Sequence, residues 1–235
     1  MLVKSVLTGS NEEVILDNNI IFKVINVDDT YEELLKASGL GMKQKDFDPE
    51  QLSQAAKLMG QAQKATKEKF AQMSAAKNNI VIDGTGAASK PLLKKKQELE
   101  SLGYDTAMIM TYVSPITSLE RNKQRDRSLL PSIVIRSWRD VNTNIDAYRQ
   151  AFGDDFTLVN LDPEDANKDF DENFIYKNYI EPLGKIGKEK TPEEKAKSKA
   201  ESEKIYSDIK QTLKSQPEFD TVEQAKTKIT NFINK

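Results

Sequence analysis

Two spacings of apolar residues alternate along the chain. Short, nearly continuous β-branched or apolar runs occur at 20–26 (Ile-Ile-Phe-Lys-Val-Ile-Asn), 79–85 (Asn-Ile-Val-Ile-Asp-Gly-Thr), 105–113 and 156–161. Between them, apolar positions recur every three or four residues, as on one face of a helix. The pattern predicts helices over 31–37, 49–76, 90–102, 116–125 and 131–152. In the second of these, Leu52, Ala55, Ala56, Met59, Ala62, Ala65, Phe70 and Met73 keep helical spacing. Gly39 and Gly103 stand where helix C-caps are expected. Apolar strands alternating with amphipathic helices imply a parallel sheet covered by helices on both faces, so the expected class is α/β.

The two ends read differently. Residues 1–8 resemble a helix without an N-cap or a preceding strand, closed by Gly9-Ser10. After about Pro182 the chain becomes rich in Lys and Glu and poor in apolar residues. Thr191-Pro192-Glu193-Glu194 and Thr221-Val222-Glu223-Gln224 are helix starts, and Pro217 separates the two expected helices. These charged helices read first as solvated faces and second as a surface for a protein partner.

Composition narrows the chemistry. The chain has 235 residues, 35 basic and 37 acidic, with neither Cys nor His. Disulfides, thiolate zinc sites and imidazole acid–base steps are therefore excluded for this chain. What remains is Asp/Glu, Lys/Arg, hydroxyls and backbone amides, with a hard cation such as Mg²⁺. A net charge of −2 supplies no general attraction to nucleic acid or membrane. No apolar run reaches the ~20 residues that span a bilayer, and the start lacks a secretory pattern. A soluble, cytoplasmic protein is expected.

Three groups of residues can carry chemistry. Asp28-Asp29 follows the first apolar run and opens a helix. Ligands of open α/β sheets sit beyond the carboxyl ends of strands, so a carboxylate there can meet a substrate hydroxyl. One of the pair can equally be the helix N-cap. Asp83-Gly84-Thr85 ends the next run, which we expect to be a buried strand; Asp83 can organise Mg²⁺ or phosphate, or simply form a turn. Arg121, Arg125 and Arg127 form a basic cluster; Arg121 and Arg125, four residues apart, would share a helical face. Guanidinium groups suit phosphate neutralisation, although Glu120 and Asp126 could balance them on a solvated face.

Together these segments resemble the P-loop kinases related to phage polynucleotide 5′-kinase and the zeta-toxin family, over about residues 20–160. Asn26-Val27-Asp28-Asp29-Thr30-Tyr31 is similar to that family's Asn-x-Asp-Asp-Tyr segment. Ile80-Val81-Ile82-Asp83 is similar to its third strand. Leu119, Arg121-Asn122, Arg125, Pro131 and Val134-Ile135 follow the spacing of its lid. The resemblance implies a phosphotransferase using ATP or GTP with Mg²⁺ on a hydroxyl of a polynucleotide end, a nucleotide or a nucleotide-sugar. It implies Asp29 as general base, or Asp28 if the register slips by one, Arg121 with Arg125 as catalytic transition-state clamps, and Asp83 as the metal residue. Asp83, Thr85, Arg121, Arg125 and Arg127 would face the nucleotide. Glu32 stands where the family has a basic residue, which argues against an identical substrate.

The family's first strand and its Gly-x-x-x-x-Gly-Lys-Ser/Thr loop are not in these residues; Lys4-Ser5 lacks the glycines. Without that central strand, two apolar sheet edges would be left open unless strands three and four pair directly or borrow a neighbour. The expectation is a start that lies further upstream, and no activity without the loop. The expected organisation is an N-terminally incomplete α/β domain over 1–184 and a charged helical extension over 185–235. The alternative is a non-catalytic binding or structural module derived from such a kinase.

Overall fold

The computed structural model describes residues 13–15, 20–162 and 217–234, with single positions at 200, 203, 204, 207 and 211. The expected helices at 1–8 and from Thr191, and the expected boundary at 184/185, lie outside the described residues. The described part is α/β and divides into two compact units. The first holds the residues up to Thr85 together with Asp126–Ser128; the second holds Gly86–Arg125 and everything from Leu129 onward.

In the first unit, β1 (Glu13–Ile15) pairs antiparallel with β2 (Ile21–Asn26), and β2 pairs parallel with β3 (Asn79–Asp83). Helix α1 (Val27–Ala37) follows β2 directly, and α2 (Pro49–Ala75) connects to β3. The α2 start is built by its sequence: the Asp48 carboxylate accepts from the Gln51 N–H, the Gln51 side chain accepts from the Asp48 N–H, and Pro49 stands at the first helical position. Tyr31 and Leu35 of α1 bury against Ala55 and Ala62 of α2, with Met42, Phe47 and Met59 packed around them. The small alanines allow close approach along one stripe, while most of this long helix stays exposed. Gln44, in a single 3-10 turn at Gln44–Asp46, donates to the Tyr31 hydroxyl and fastens that segment to α1.

The second unit is a parallel pair, β4 (Met108–Tyr112) and β5 (Phe156–Asn160), covered by helices. These are α3 (Ser89–Ser101), α4 (Pro115–Gln124), α5 (Pro131–Asn142), α6 (Ile145–Phe152) and α7 (Val222–Ile233). Its core joins Met110, Tyr112, Leu119, Ile135, Trp138, Ile145, Tyr148, Phe156 and Leu158. The Trp138 indole N–H donates to the Val113 carbonyl at 2.7 Å, so the large ring is buried without orphaning its polar atom. The C-terminal segment belongs to this core. Phe219 packs on the Tyr112 ring at 5.1 Å, and Asp220 completes the outer edge of β5: its N–H donates to the Leu158 carbonyl (2.7 Å) and its carboxylate accepts the Leu158 N–H (2.9 Å).

Four expectations need correction. The strands do not form one continuous parallel sheet. They form a mixed three-stranded sheet and a separate parallel pair, and among the described residues no strand pairs with the outer edge of β3 or β4. With that edge open, β3 is not the buried strand expected: none of its residues is buried, and Ile82 is 43% exposed. The single helix expected over 131–152 is two. There the Asn142 amide donates to the Trp138 carbonyl and the Asn144 amide to the Asp140 and Ala87 carbonyls, a competition that ends α5. The Arg121/Arg125 face also fails, because α4 ends at Gln124 and Arg125 is already extended (φ −78°, ψ 145°).

Candidate functional site

The carboxyl ends of β2 and β3 lie side by side in register, Asn26 opposite Asp83. Asn26 is the residue on which this end is built. Its side-chain Oδ1 accepts the Asp28 N–H at 2.8 Å and caps α1, while its side-chain Nδ2 donates to Oδ2 of Asp83 at 3.0 Å. The N-cap is therefore Asn26 rather than either aspartate, and Asp28 and Asp29 occupy the first turn of α1. A carboxylate there is favoured by the unpaired N–H groups and the positive end of the helix dipole. The signal was present in the sequence: Asn, a strong N-cap residue, stands directly before Val27 at the strand-to-helix switch.

Asp28 and Asp29 have different surroundings. Asp28 Oδ1 lies 2.9 Å from Nη2 of Arg127, and Arg127 Nε donates to Glu32 Oε1 at 3.1 Å. Asp28 and Glu32 are one turn apart, so a single guanidinium bridges both while lying 5.7 Å from the centre of the Tyr31 ring. Arg127 is thus engaged by two carboxylates instead of being presented to a phosphate. The acidic residue at 32, where the resembled family carries a base, is what holds it. Burial raises the Tyr31 pKa; the Arg127 charge and the Gln44 hydrogen bond act in the opposite direction, and Asp28 adds to the rise. Asp29 is exposed at the same helix start.

Asp83 and Thr85 are both exposed, Asp83 at the end of β3 and Thr85 in the loop beyond it. Arg121 and Arg125 belong to the second unit, whereas Asp28, Asp29, Asp83, Thr85 and Arg127 belong to the first. Arg121 donates to the Leu161 carbonyl at 2.9 Å, tying α4 to the end of β5. Arg125 is exposed just past the end of α4. Between them, the Asn122 side chain accepts the Leu129 N–H and donates to the Leu129 carbonyl, both at 2.9 Å, which closes the intervening loop. Sequence reasoning also missed Asp162, whose two carboxylate oxygens accept the Ser114 N–H ahead of α4 at 2.8 Å.

Among the described residues, no three Asp or Glu side chains converge as a metal cage. Asp83 offers one carboxylate, with Oδ2 already accepting from Asn26. That is compatible with Mg²⁺, which is commonly held by one or two carboxylates plus substrate phosphates and water. No helix of the described residues is long and apolar enough to cross a membrane. Comparisons with protein-family models, with curated proteins and with solved structures each return no match.

Proposed function

We propose that this chain supplies the acceptor-side carboxylates of a nucleoside-triphosphate-dependent phosphotransferase acting on a hydroxyl. Phosphoryl transfer in this reading requires a glycine-rich phosphate loop that is not among the 235 residues. The supporting observation is the pairing of the carboxyl ends of β2 and β3, Asn26 opposite Asp83, with Asp29 in the first turn of the helix that follows β2 directly. Asp29 is the general base that takes the proton of the attacking hydroxyl. Asp28 is committed to Arg127 and serves to position the first turn of α1. Asp83 would hold Mg²⁺, which with bound ATP or GTP would supply charge neutralisation at the transferring phosphate. Arg121 and Arg125 neutralise nucleotide phosphates, as the resemblance to polynucleotide and zeta-toxin-like kinases implies. The acceptor in this reading is a polynucleotide end, a nucleotide or a nucleotide-sugar.

The test is transfer of the γ-phosphate of Mg-ATP or Mg-GTP to these acceptors, measured with the chain carrying its own upstream in-frame segment, provided that segment encodes such a loop. Transfer that Asp29→Asn lowers about a hundredfold supports the reading, in line with the usual contribution of a general base. Absence of both nucleotide binding and transfer overturns it. A second reading, a non-catalytic binding module, draws on the Asp28–Arg127–Glu32 pairing, which ties up charges that catalysis would otherwise use. A folded protein with no nucleotide affinity would favour it.

A further inference from the structure

The first unit contains a groove of about 630 Å³ between α1, the 41–47 segment and the start of α2, which the phosphoryl chemistry does not use. Its volume lies within the range of small-molecule sites, roughly 300–1,000 Å³. Met42 and Phe47 form an apolar patch in its wall, continuous with the core of the unit. Lys36, Lys43, Asp46 and Asp126 also line it. Among the described residues none of these four makes an ion pair or a side-chain hydrogen bond, although opposite charges line the same groove. A fifth charged lining residue, Glu32, is already held by Arg127.

Charge balance selects the ligand. A polyanion would meet two carboxylates as well as two ammonium groups, and a polycation or metal ion would meet the reverse. A purely apolar molecule would separate four charges from water without replacing their hydration. A molecule with one charge of each sign satisfies both pairs and can lay an apolar body on Met42 and Phe47. We propose that this groove binds a small zwitterion of about dipeptide size: its ammonium on Asp46 and Asp126, its carboxylate on Lys36 and Lys43, and its apolar side chain on Met42 and Phe47.

The groove is fixed independently of any nucleotide. Gln44 is hydrogen-bonded to Tyr31, and the capping box at Asp48 and Gln51 sets the start of α2. The proposal therefore stands or falls separately from the phosphotransferase reading. Its test is calorimetric titration of the full chain, without nucleotide, with the dipeptide Leu-Phe, its N-acetylated form and its C-terminal amide. The expected result is saturable binding of the free dipeptide, weakened at least about tenfold (1.4 kcal/mol) by either block. Asp46→Asn with Asp126→Asn should weaken the free dipeptide similarly and leave the N-acetylated form unchanged. Both positions are exposed, so the variant retains its fold, as circular dichroism will verify. Equal affinity for blocked and free peptides, tighter binding of spermine or inorganic phosphate, or no saturation at millimolar peptide would overturn the proposal.

Discussion

Nη2 of Arg127 lies 2.9 Å from Oδ1 of Asp28, joining a residue of the α4–α5 connection to the first turn of α1. The same guanidinium reaches Glu32 one turn later and lies over Tyr31. The Arg127 side chain is 13% exposed, whereas that of Asp28 is 50% exposed, so solvent screens the ion pairs appreciably. Arg127→Ala should cost about 1 kcal/mol of stability, through lost packing on Tyr31 as much as lost charge. Asp28→Asn should cost less, because Glu32 remains as a partner. A double-mutant cycle in urea over Arg127 and Glu32 separates the pairwise part.

The two aspartates of the first turn should behave differently in catalysis. In an assay competent for transfer, Asp29→Asn is expected to lower kcat about a hundredfold. Asp28→Asn should lower it less than about tenfold, by loosening the turn. Equal losses at both positions would contradict the assignment of the base.

Tyr112 offers a test of burial by pH. Among the described residues its buried hydroxyl has no hydrogen-bond partner, and burial together with the negative charge of Asp162 pushes its pKa up to about 12. The folded value lies above the unfolded value near 10, so the folded state retains the proton longer. Tyr112 therefore contributes stability that is complete below pH 10 and is lost as the pH rises from there towards 12. The slope should approach about 1.4 kcal/mol per pH unit within that window. Tyr112→Phe should remove this part of the slope. At neutral pH it should be neutral or slightly stabilising, since no hydrogen bond is lost and an unsatisfied hydroxyl is removed. Denaturant melts of both proteins at pH 7, 10 and 11 measure this.

Asp220 holds the C-terminal segment to the second unit. Asp220→Ala would leave the buried Leu158 N–H without an acceptor and Lys228 without its 2.8 Å carboxylate partner. A loss of about 2 kcal/mol is expected, mostly from the unsatisfied donor. Lys228→Met loses the Asp220 ion pair and the hydrogen bond to the Phe156 carbonyl. The Lys228 side chain is partly solvated, however, and the buried Leu158 N–H keeps its acceptor, so this variant should cost less. Thermal unfolding of the two variants checks the order.

Local features were legible in the chain wherever local physics decides them. The Thr221–Gln224 capping box, the four strand runs around 21–26, 79–83, 108–112 and 156–160, and α2 as one long helix all follow from short-range spacing and side-chain chemistry. Within the expected site, the placement of Asp29 at the helix start after β2 and of Asp83 at the end of β3 was legible for the same reason. The state of Asp28 and Arg127 was not, because 99 positions separate them along the chain and no periodicity relates them.

The amino-acid sequence by itself determined an α/β chain, the order of strands β2 to β5 with helical segments between them, and chemistry confined to carboxylates, cationic side chains, hydroxyls and amides. Hydrophobic spacing and capping act over a few residues, so these features need no knowledge of the fold. Only the tertiary structure decided that the strands divide into two sheets and that residues 217–234 complete the core of the second unit. It also decided that Asn26, not an aspartate, caps α1, and that Glu32 holds Arg127. Those outcomes rest on which distant groups can bury surface and satisfy each other's hydrogen bonds, a competition that takes place in space rather than along the chain.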